Sequence, residues 1–312
     1  MSVPGDPQIP TLESTYKARD VEGVLDLLFY RPIGFQLARL AARVRLTPVA
    51  VTTLGGICGI IAGHLYLYRD IRTNVIGMVL HVVANLLDNA DGQLARLLNQ
   101  KSRNGRVIDS VFDHLIFLSI YVHLGLRCLV EGASPAIALL VIAAGISHGF
   151  QGAAADYFRN AYLYFVKGRT RADWDSSVSL RREYRQLRWQ NGRWPKLLLA
   201  LYINFTWQQE LLSPRLRRLR DVAVDEFPDD MPDSLRQHYR DNAQPMLRWW
   251  GLLMTNTRML FLFLFLIIDR PAWFFWMEIS VMNLLLLVLI LRQESFSRSL
   301  IHEIEQPEPV IS

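Results

Sequence analysis

Four aspartates of this 312-residue chain, Asp88, Asp91, Asp109 and Asp113, are spaced so that their carboxylates could act together. Residues three or four positions apart lie on the same face of an α-helix, which has 3.6 residues per turn. Asp88 and Asp91 therefore share one helix face, and Asp109 and Asp113 share another. The eight-residue segment 97–104 suits a tight turn that would place these two faces side by side.

Such a cluster of carboxylates is costly in apolar surroundings. Near the centre of a membrane helix, each ionised side chain costs about 2.5–3.5 kcal/mol. Mg²⁺ or Mn²⁺ ions, which prefer oxygen ligands, would compensate the charge, and two ions about 3.5–4 Å apart suit displacement at phosphorus. The spacing predicts one metal-dependent catalytic site in which Asp88, Asp91, Asp109 and Asp113 are all candidate ligands of two divalent cations.

Residues around the aspartates suggest how a substrate would be bound. Gly92 and Gly105 have no side chains, so they allow a neighbouring helix or a ligand to approach closely. Arg96 lies four residues after Gly92 on the same helix face, where its planar guanidinium could meet a phosphate. Asn85 lies one turn before Asp88, and a contact with the nucleotide, a contact with an aspartate or helix packing would each explain its position.

The segments that must hold this site are apolar. The chain is 51% hydrophobic, and its apolar residues gather into runs of about 20, the length that crosses a bilayer as a helix. We therefore predict an all-α polytopic membrane protein with six transmembrane helices, at residues 48–68, 73–96, 105–129, 134–158, 250–268 and 272–291. Thr47 and Pro48 are typical of the N-cap and first turn of a helix, and they begin the first span.

The predicted organisation has five parts. A loose tail and an amphipathic interfacial helix at about 13–45, interrupted near Arg31 and Gly34, precede the spans. A basic cytoplasmic insert, with an interfacial helix at 196–212, separates spans four and five. The boundaries are 1–46 for the tail and interfacial helix, 47–166 for spans one to four, 167–248 for the insert, 249–292 for spans five and six, and 293–312 for a C-terminal tail.

The distribution of basic residues predicts the orientation. Arginines are frequent in the N-terminal region, in the loop at 99–106 and in the insert, so the positive-inside rule places both termini and the catalytic site in the cytoplasm. The net charge of +5 then reflects these loops and their contact with anionic membrane lipids. Nucleic acid is not expected as a partner.

Residues 88–113 resemble the signature of the CDP-alcohol phosphotransferases, also called CDP-alcohol phosphatidyltransferases, which are integral membrane enzymes of phospholipid synthesis. The pattern is D-x2-D-G-x2-A-R-x8-G-x3-D-x3-D. The resemblance implies that Asp88, Asp91 and Asp109 hold the metals and that Asp113 is the general base. It also implies that the cytidine diphosphate is surrounded by Gly92, Ala95, Arg96 and Gly105. Val49 departs from the family, which commonly has Asn after the Thr-Pro of the first span.

The resemblance implies a reaction but not its substrates. Asp113 would accept the proton of an acceptor hydroxyl, which would attack the β-phosphorus of a CDP-linked donor and release CMP. The donor is expected to be CDP-diacylglycerol, with a small polar alcohol as acceptor, in a bacterial inner membrane. In the alternative, a soluble CDP-alcohol donates its headgroup to a lipid such as diacylglycerol or ceramide. A homodimer is compatible with either form.

Other charged residues in the predicted spans are also candidates for function. Arg258 lies inside span five and is a candidate ligand for a substrate phosphate. Asp156 and Arg159 either pair with each other or line the acceptor pocket. A cation transporter is a remote alternative, and it would require a second acidic cluster, which spans four to six lack.

Overall fold

The protein is described by a computed structural model that covers residues 19–100, 103–168, 172, 174–187, 193–228 and 230–306. Within these residues, six helical segments are long and apolar enough to cross a membrane, and each predicted span overlaps one of them. This confirms the predicted all-α polytopic membrane class. The predicted tail at 1–12 and the last six residues lie outside the described part of the chain.

The helices follow one another without strands in the described residues. A 3₁₀ turn at Arg19–Val21 and a π-helical turn at Asp26–Tyr30 come before the first α-helix. Then come α1 at Arg31–Arg43, α2 at Pro48–Leu65, α3 at Ile71–Leu97, α4 at Arg103–Val130 and α5 at Ile137–Tyr162, which continues as a π-helical turn to Lys167. The remaining helices are α6 at Ser177–Gln186, α7 at Arg193–Leu212, α8 at Pro214–Glu226, α9 at Asp233–Leu252, α10 at Thr255–Ile267, α11 at Ala272–Met277 and, after a π-helical turn at Glu278–Met282, α12 at Asn283–Glu305.

The chain divides into two compact units. The first contains residues 1–145 and 262–274, and it therefore includes the predicted catalytic motif. The second contains residues 146–261 and 275–312, and it includes the whole predicted insert.

In the first unit, glycines of α2 allow this helix to pack closely on α3 and α4. A Cβ at Gly55 would lie 3.1 Å from Leu87 Cβ on α3, and a Cβ at Gly56 would lie 2.0 Å from the Phe112 ring on α4. Gly59 and Gly63 are similarly close to α4. Because small residues let membrane helices approach, these glycines bring together the two helices that carry the aspartates.

Gly56→Ala should therefore destabilise the protein. The added methyl group would overlap the Phe112 ring, and overpacking of this kind costs about 1–3 kcal/mol. We expect a lower melting temperature in detergent than for Gly149→Ala, a matched control at a helical glycine with no atom within 4 Å of an added Cβ. Equal melting temperatures for the two variants would contradict this packing.

Helix α1 lies against α3 at the catalytic motif. A Cβ at Gly34 would be 3.2 Å from Asn89 Cβ, and Ala38 packs against Ala90 and Leu94. The predicted interruption near Arg31 is not a break, because Pro32 lies in the first turn of α1, where its missing N–H is tolerated.

The predicted start of α2 is confirmed. The Thr47 hydroxyl accepts a hydrogen bond of 3.2 Å from the Ala50 N–H, and Pro48 is the first helical residue. This cap satisfies one of the free N–H groups at the helix end. It defines where α2 begins relative to the aspartates of α3.

Ion pairs connect the turns at the other end of the first unit. Arg127, which is 1% exposed, forms ion pairs with Glu131 at 2.9 Å and with Asp269 at 2.6 Å. Arg69 also pairs with Asp269, and its hydrogen bonds hold the pKa of this carboxyl below the usual value of 3.8. The Asp269 carboxylate therefore stays ionised at neutral pH.

In the second unit, α12 extends well past the predicted end of span six at residue 291, through residues expected to form a tail. The reason is a tertiary contact with α8. The buried Glu294 carboxylate accepts hydrogen bonds from the backbone N–H groups of Arg215 at 2.9 Å and Leu216 at 3.2 Å. A carboxylate at a helix N-terminus accepts hydrogen bonds from free backbone N–H groups, and its negative charge interacts favourably with the helix dipole.

Candidate active site

Three of the four aspartates come together between α3 and α4. One carboxylate oxygen from each of Asp88, Asp91 and Asp109 lies within 4.8 Å of the other two. Among the described residues, this is the one group of three or more such side chains with spacing suited to a metal ion.

Asp113 occupies a different position from the other three. It lies on α4, one turn beyond Asp109, with an exposed side chain, and it is outside the group of three. It is nevertheless close enough for electrostatic repulsion between its carboxylate and those of Asp88 and Asp91. The arrangement is thus three clustered carboxylates with a fourth beside them.

The cluster fits a hard divalent cation. Asp91 is 7% exposed, so water screens its charge poorly, and three carboxylates at this spacing repel one another unless a cation lies between them. All of the donor atoms are oxygens, as Mg²⁺ and Mn²⁺ prefer. A Cβ at Gly92 would meet no atom within 4 Å, so space for a ligand remains next to Asp91.

Thr52 of α2 is a site residue that the sequence analysis missed. Its hydroxyl forms a buried hydrogen bond to the Asp91 carboxylate, and it also lies 3.0 Å from the Pro48 carbonyl oxygen. The two partners are 39 positions apart, so no local pattern could have indicated the contact. Val49, where the family commonly has Asn, lies three residues before Thr52, or about one turn of α2, and the Thr52 hydroxyl supplies a polar group from the same helix.

Thr52→Val should weaken the site without unfolding it. The change keeps the shape of the side chain but removes the donor to Asp91, and loss of a ligand's supporting hydrogen bond typically costs about 10–100-fold in metal affinity or activity. Mn²⁺ affinity, measured by titration, is the readout. Thr53→Val is the matched control, because the Thr53 hydroxyl donates a hydrogen bond of 2.8 Å to the Val49 carbonyl of its own helix, away from the aspartates. Equal affinities in both variants would contradict a role for Thr52.

Arg31 of α1 is a second residue that the sequence analysis did not assign to the site. Its guanidinium pairs with Glu22 at 2.7 Å, and its carbonyl accepts a hydrogen bond of 3.1 Å from Gln93 of α3. The charge of Arg31 also acts on Asp88 and on Arg96. Two arginines thus lie beside the carboxylate cluster, and Glu22 neutralises part of their charge.

The other predicted substrate-binding residues lie along the same stretch. The Asn85 side chain is hydrogen-bonded to the Tyr30 hydroxyl, and the Asn85 carbonyl accepts a bond of 3.0 Å from Asn89. Asn85 therefore helps to pack the N-terminal segment on α3. Gly92, Ala95, Arg96 and Gly105 are half-buried.

Two weaker candidates have structural partners in the second unit. Arg258 is 3% exposed, and its guanidinium bonds to Glu278 at 3.0 Å, to Gln151 at 2.5 Å and to the Leu253 carbonyl. The prediction that it binds a substrate phosphate is therefore not supported. Asp156 and Arg159 pair with each other at 2.8 Å, which is one of the two roles considered for them.

Part of the chain is similar to known proteins. Residues 45–161 match the CDP-alcohol phosphatidyltransferase family, and this segment contains α2, α3 and α4 with all four aspartates. Similar relatives include proteins of Mycobacterium tuberculosis (strain H37Rv) and Mycobacterium bovis, each named "Putative cardiolipin synthase". Each is 34% identical over 71 residues, which are 23% of this chain and 34% of the relative. The chain thus matches about one third of the length of these relatives, and no solved structure matches it.

Proposed function

We propose that this chain, whose residues 45–161 match the CDP-alcohol phosphatidyltransferase family, transfers a phosphatidyl group from a CDP-linked donor to an acceptor hydroxyl in a membrane. The released product is CMP. The observation that carries the proposal is the cluster of Asp88, Asp91 and Asp109 on two apolar helices inside the matched segment. A cation transporter would require a second acidic cluster, which spans four to six lack.

The cluster is proposed to hold two divalent cations, Mg²⁺ or Mn²⁺, through Asp88, Asp91 and Asp109. When bound, such ions polarise phosphoryl oxygens and offset the negative charge that develops as CMP leaves. Thr52 keeps Asp91 oriented through its hydroxyl. The protein thereby supplies a preorganised set of oxygen ligands in apolar surroundings.

The chain's own residues perform the proton transfer and position the donor. Asp113 is proposed as the general base, because it lies beside the cluster and is exposed to an incoming acceptor. It takes the proton of the hydroxyl whose oxygen attacks the β-phosphorus, and the bond from that phosphorus to the oxygen of CMP breaks. Arg96 and Arg31 are proposed to face the diphosphate, and Gly92 leaves room for it.

Arg31→Ala tests this part of the proposal. Loss of one guanidinium near the diphosphate should raise KM for the CDP-linked donor by about tenfold, because a charge-assisted hydrogen bond contributes about 1.5–3 kcal/mol. Arg39→Ala is the control, since Arg39 is exposed on the same helix and has no ion pair in the described part of the chain. A rise in KM in both variants, or in neither, would contradict the role of Arg31.

We also propose which substrates the protein uses. We favour CDP-diacylglycerol as donor, and the relatives' printed name, which refers to synthesis of a phospholipid, supports it. Arg258 does not support a phosphorylated acceptor, because its guanidinium forms an ion pair with Glu278. Transfer of a soluble CDP-alcohol headgroup to a lipid remains the alternative. We propose that the site faces the cytoplasm, which the distribution of arginines supports. We also propose a bacterial inner membrane, which the mycobacterial source of the relatives supports.

The decisive experiment is mass spectrometry of the lipids formed by the purified protein from a panel of donors and acceptors. CDP-diacylglycerol with each of several polar alcohols, and with phosphatidylglycerol, should yield CMP and one new phospholipid. Products formed only from soluble CDP-alcohols and diacylglycerol would favour the alternative. Absence of CMP release with every pair would contradict a transferase.

A further inference from the structure

A cationic and aromatic surface lies between α6 and α7, outside the proposed active site. A cavity of about 430 Å³ opens there, and Arg181, Tyr184 and Arg185 of α6 line one side of it. Asn204 and Trp207 of α7 line the other side. We call this surface, together with the exposed face of α7, the Arg–Trp face.

The exposed face of α7 is apolar. Five large side chains with 43–71% exposure repeat at helical spacing along it, namely Trp194, Leu197, Leu201, Trp207 and Leu211. The opposite face of the same helix is buried and includes Leu199, Thr206 and Glu210. A helix with one face packed on protein and the other apolar and exposed requires a second apolar environment.

The arginines beside this stripe have no acidic partners among the residues that the structure describes. Arg181, Arg182 and Arg185 are exposed, and none of them forms an ion pair within the described part of the chain. Other arginines of the insert behave differently, since Arg220 pairs with Glu210 and Arg236 with Asp230. The positive charge of α6 is therefore available to an anionic partner.

The two helices are held rigidly enough to present this face. Lys196 donates a hydrogen bond of 3.0 Å to the Leu187 carbonyl and lies 4.8 Å from the centre of the Tyr184 ring. At the other end, the Ser177 hydroxyl donates to the Glu210 carboxylate at 2.5 Å. These contacts join the ends of α6 to α7, so the cavity exists before any partner binds.

We infer that the Arg–Trp face binds the headgroups and upper acyl chains of anionic phospholipids, and thereby docks the insert on the membrane surface. The arginines match the phosphate charge, the leucines match the acyl region, and tryptophans prefer the interface between the two. Only nine residues separate the apolar helix that ends at Lys167 from Ser177, so the face is tethered near a bilayer. A second copy of the chain fits less well, because a symmetric contact would bring arginine against arginine. This inference does not depend on the proposed transferase activity.

Chemical labelling of the full-length protein in nanodiscs tests the inference. Leu201→Cys places a thiol in the stripe, and its labelling by a membrane-impermeant maleimide is measured at low salt. We expect labelling about tenfold slower in an equal mixture of phosphatidylcholine and phosphatidylglycerol than in phosphatidylcholine alone. High salt should remove the difference by screening the charges. The parent protein, with Cys58 and Cys128 only, provides the background rate.

A matched pair of triple variants separates local from bulk charge. Replacing Arg181, Arg182 and Arg185 with Gln should equalise the two labelling rates. Replacing three other exposed arginines of the same unit, Arg215, Arg248 and Arg298, should leave the difference unchanged. Equal rates in both lipids for the Leu201→Cys protein would overturn the inference. Slow labelling of the Leu201→Cys protein that persists in detergent would also overturn the inference. Slow labelling that persists in the first triple variant would overturn it as well, since both results indicate that protein, rather than lipid, covers the stripe.

Discussion

Asp113→Asn is expected to reduce CMP release by about 10²–10⁴-fold, the contribution of a well-placed general base. The carboxamide keeps the size of the side chain but cannot accept the proton of the acceptor hydroxyl. Because Asp113 lies outside the group of three carboxylates, we expect Mn²⁺ affinity and melting temperature to change little. The measurement is CMP release by the purified variant, with Mn²⁺ titration in parallel.

The controls distinguish a base from a metal ligand. Asp91→Asn should lose Mn²⁺ binding as well as activity, whereas Asp241→Asn, at an exposed position on α9, should lose neither. Full activity of Asp113→Asn would exclude its role as base. Loss of Mn²⁺ binding in Asp113→Asn would instead make it a fourth ligand, as the first interpretation of the four aspartates had it.

Removal of divalent cations is the second change with a large expected effect. Chelation by EDTA should stop turnover, and excess Mg²⁺ or Mn²⁺ should restore it, because the clustered carboxylates of Asp88, Asp91 and Asp109 repel one another without a cation. Binding should also raise the melting temperature, since saturation at about 100 times Kd stabilises the folded state by about 2.7 kcal/mol.

Two readouts that do not depend on turnover complete this experiment. The number of bound Mn²⁺ ions, counted by paramagnetic resonance, should be two in the parent protein. The increase in melting temperature should be absent in Asp91→Asn and retained in Asp241→Asn. Turnover that persists in EDTA, or an equal increase in the Asp91 variant, would contradict a metal site at this cluster.

The sequence was most informative where function depends on local spacing. Helical periodicity alone placed Asp88 with Asp91 and Asp109 with Asp113, and the length of the apolar runs predicted the six spans. The cap formed by Thr47 and Pro48 was also predictable, because it involves neighbouring residues only. These features follow from 3.6 residues per turn and from bilayer thickness.

Contacts between residues far apart in the chain needed the tertiary structure. Arg258 was predicted to bind phosphate because its sequence neighbours include no acid, yet folding brings Glu278 to 3.0 Å. Helix α12 was expected to end near residue 291, but the contact between Glu294 and the start of α8 extends it. In both cases the partner's position depends on how helices pack, which local periodicity does not determine.

The amino-acid sequence by itself determined which residues could form a metal-dependent transferase site and which helices carry them. The tertiary structure decided how they are arranged. It grouped Asp88, Asp91 and Asp109, left Asp113 beside them and added Thr52 from α2. The physical reason is that a helix fixes the face on which a side chain lies, whereas close packing at the α2 glycines fixes which faces meet.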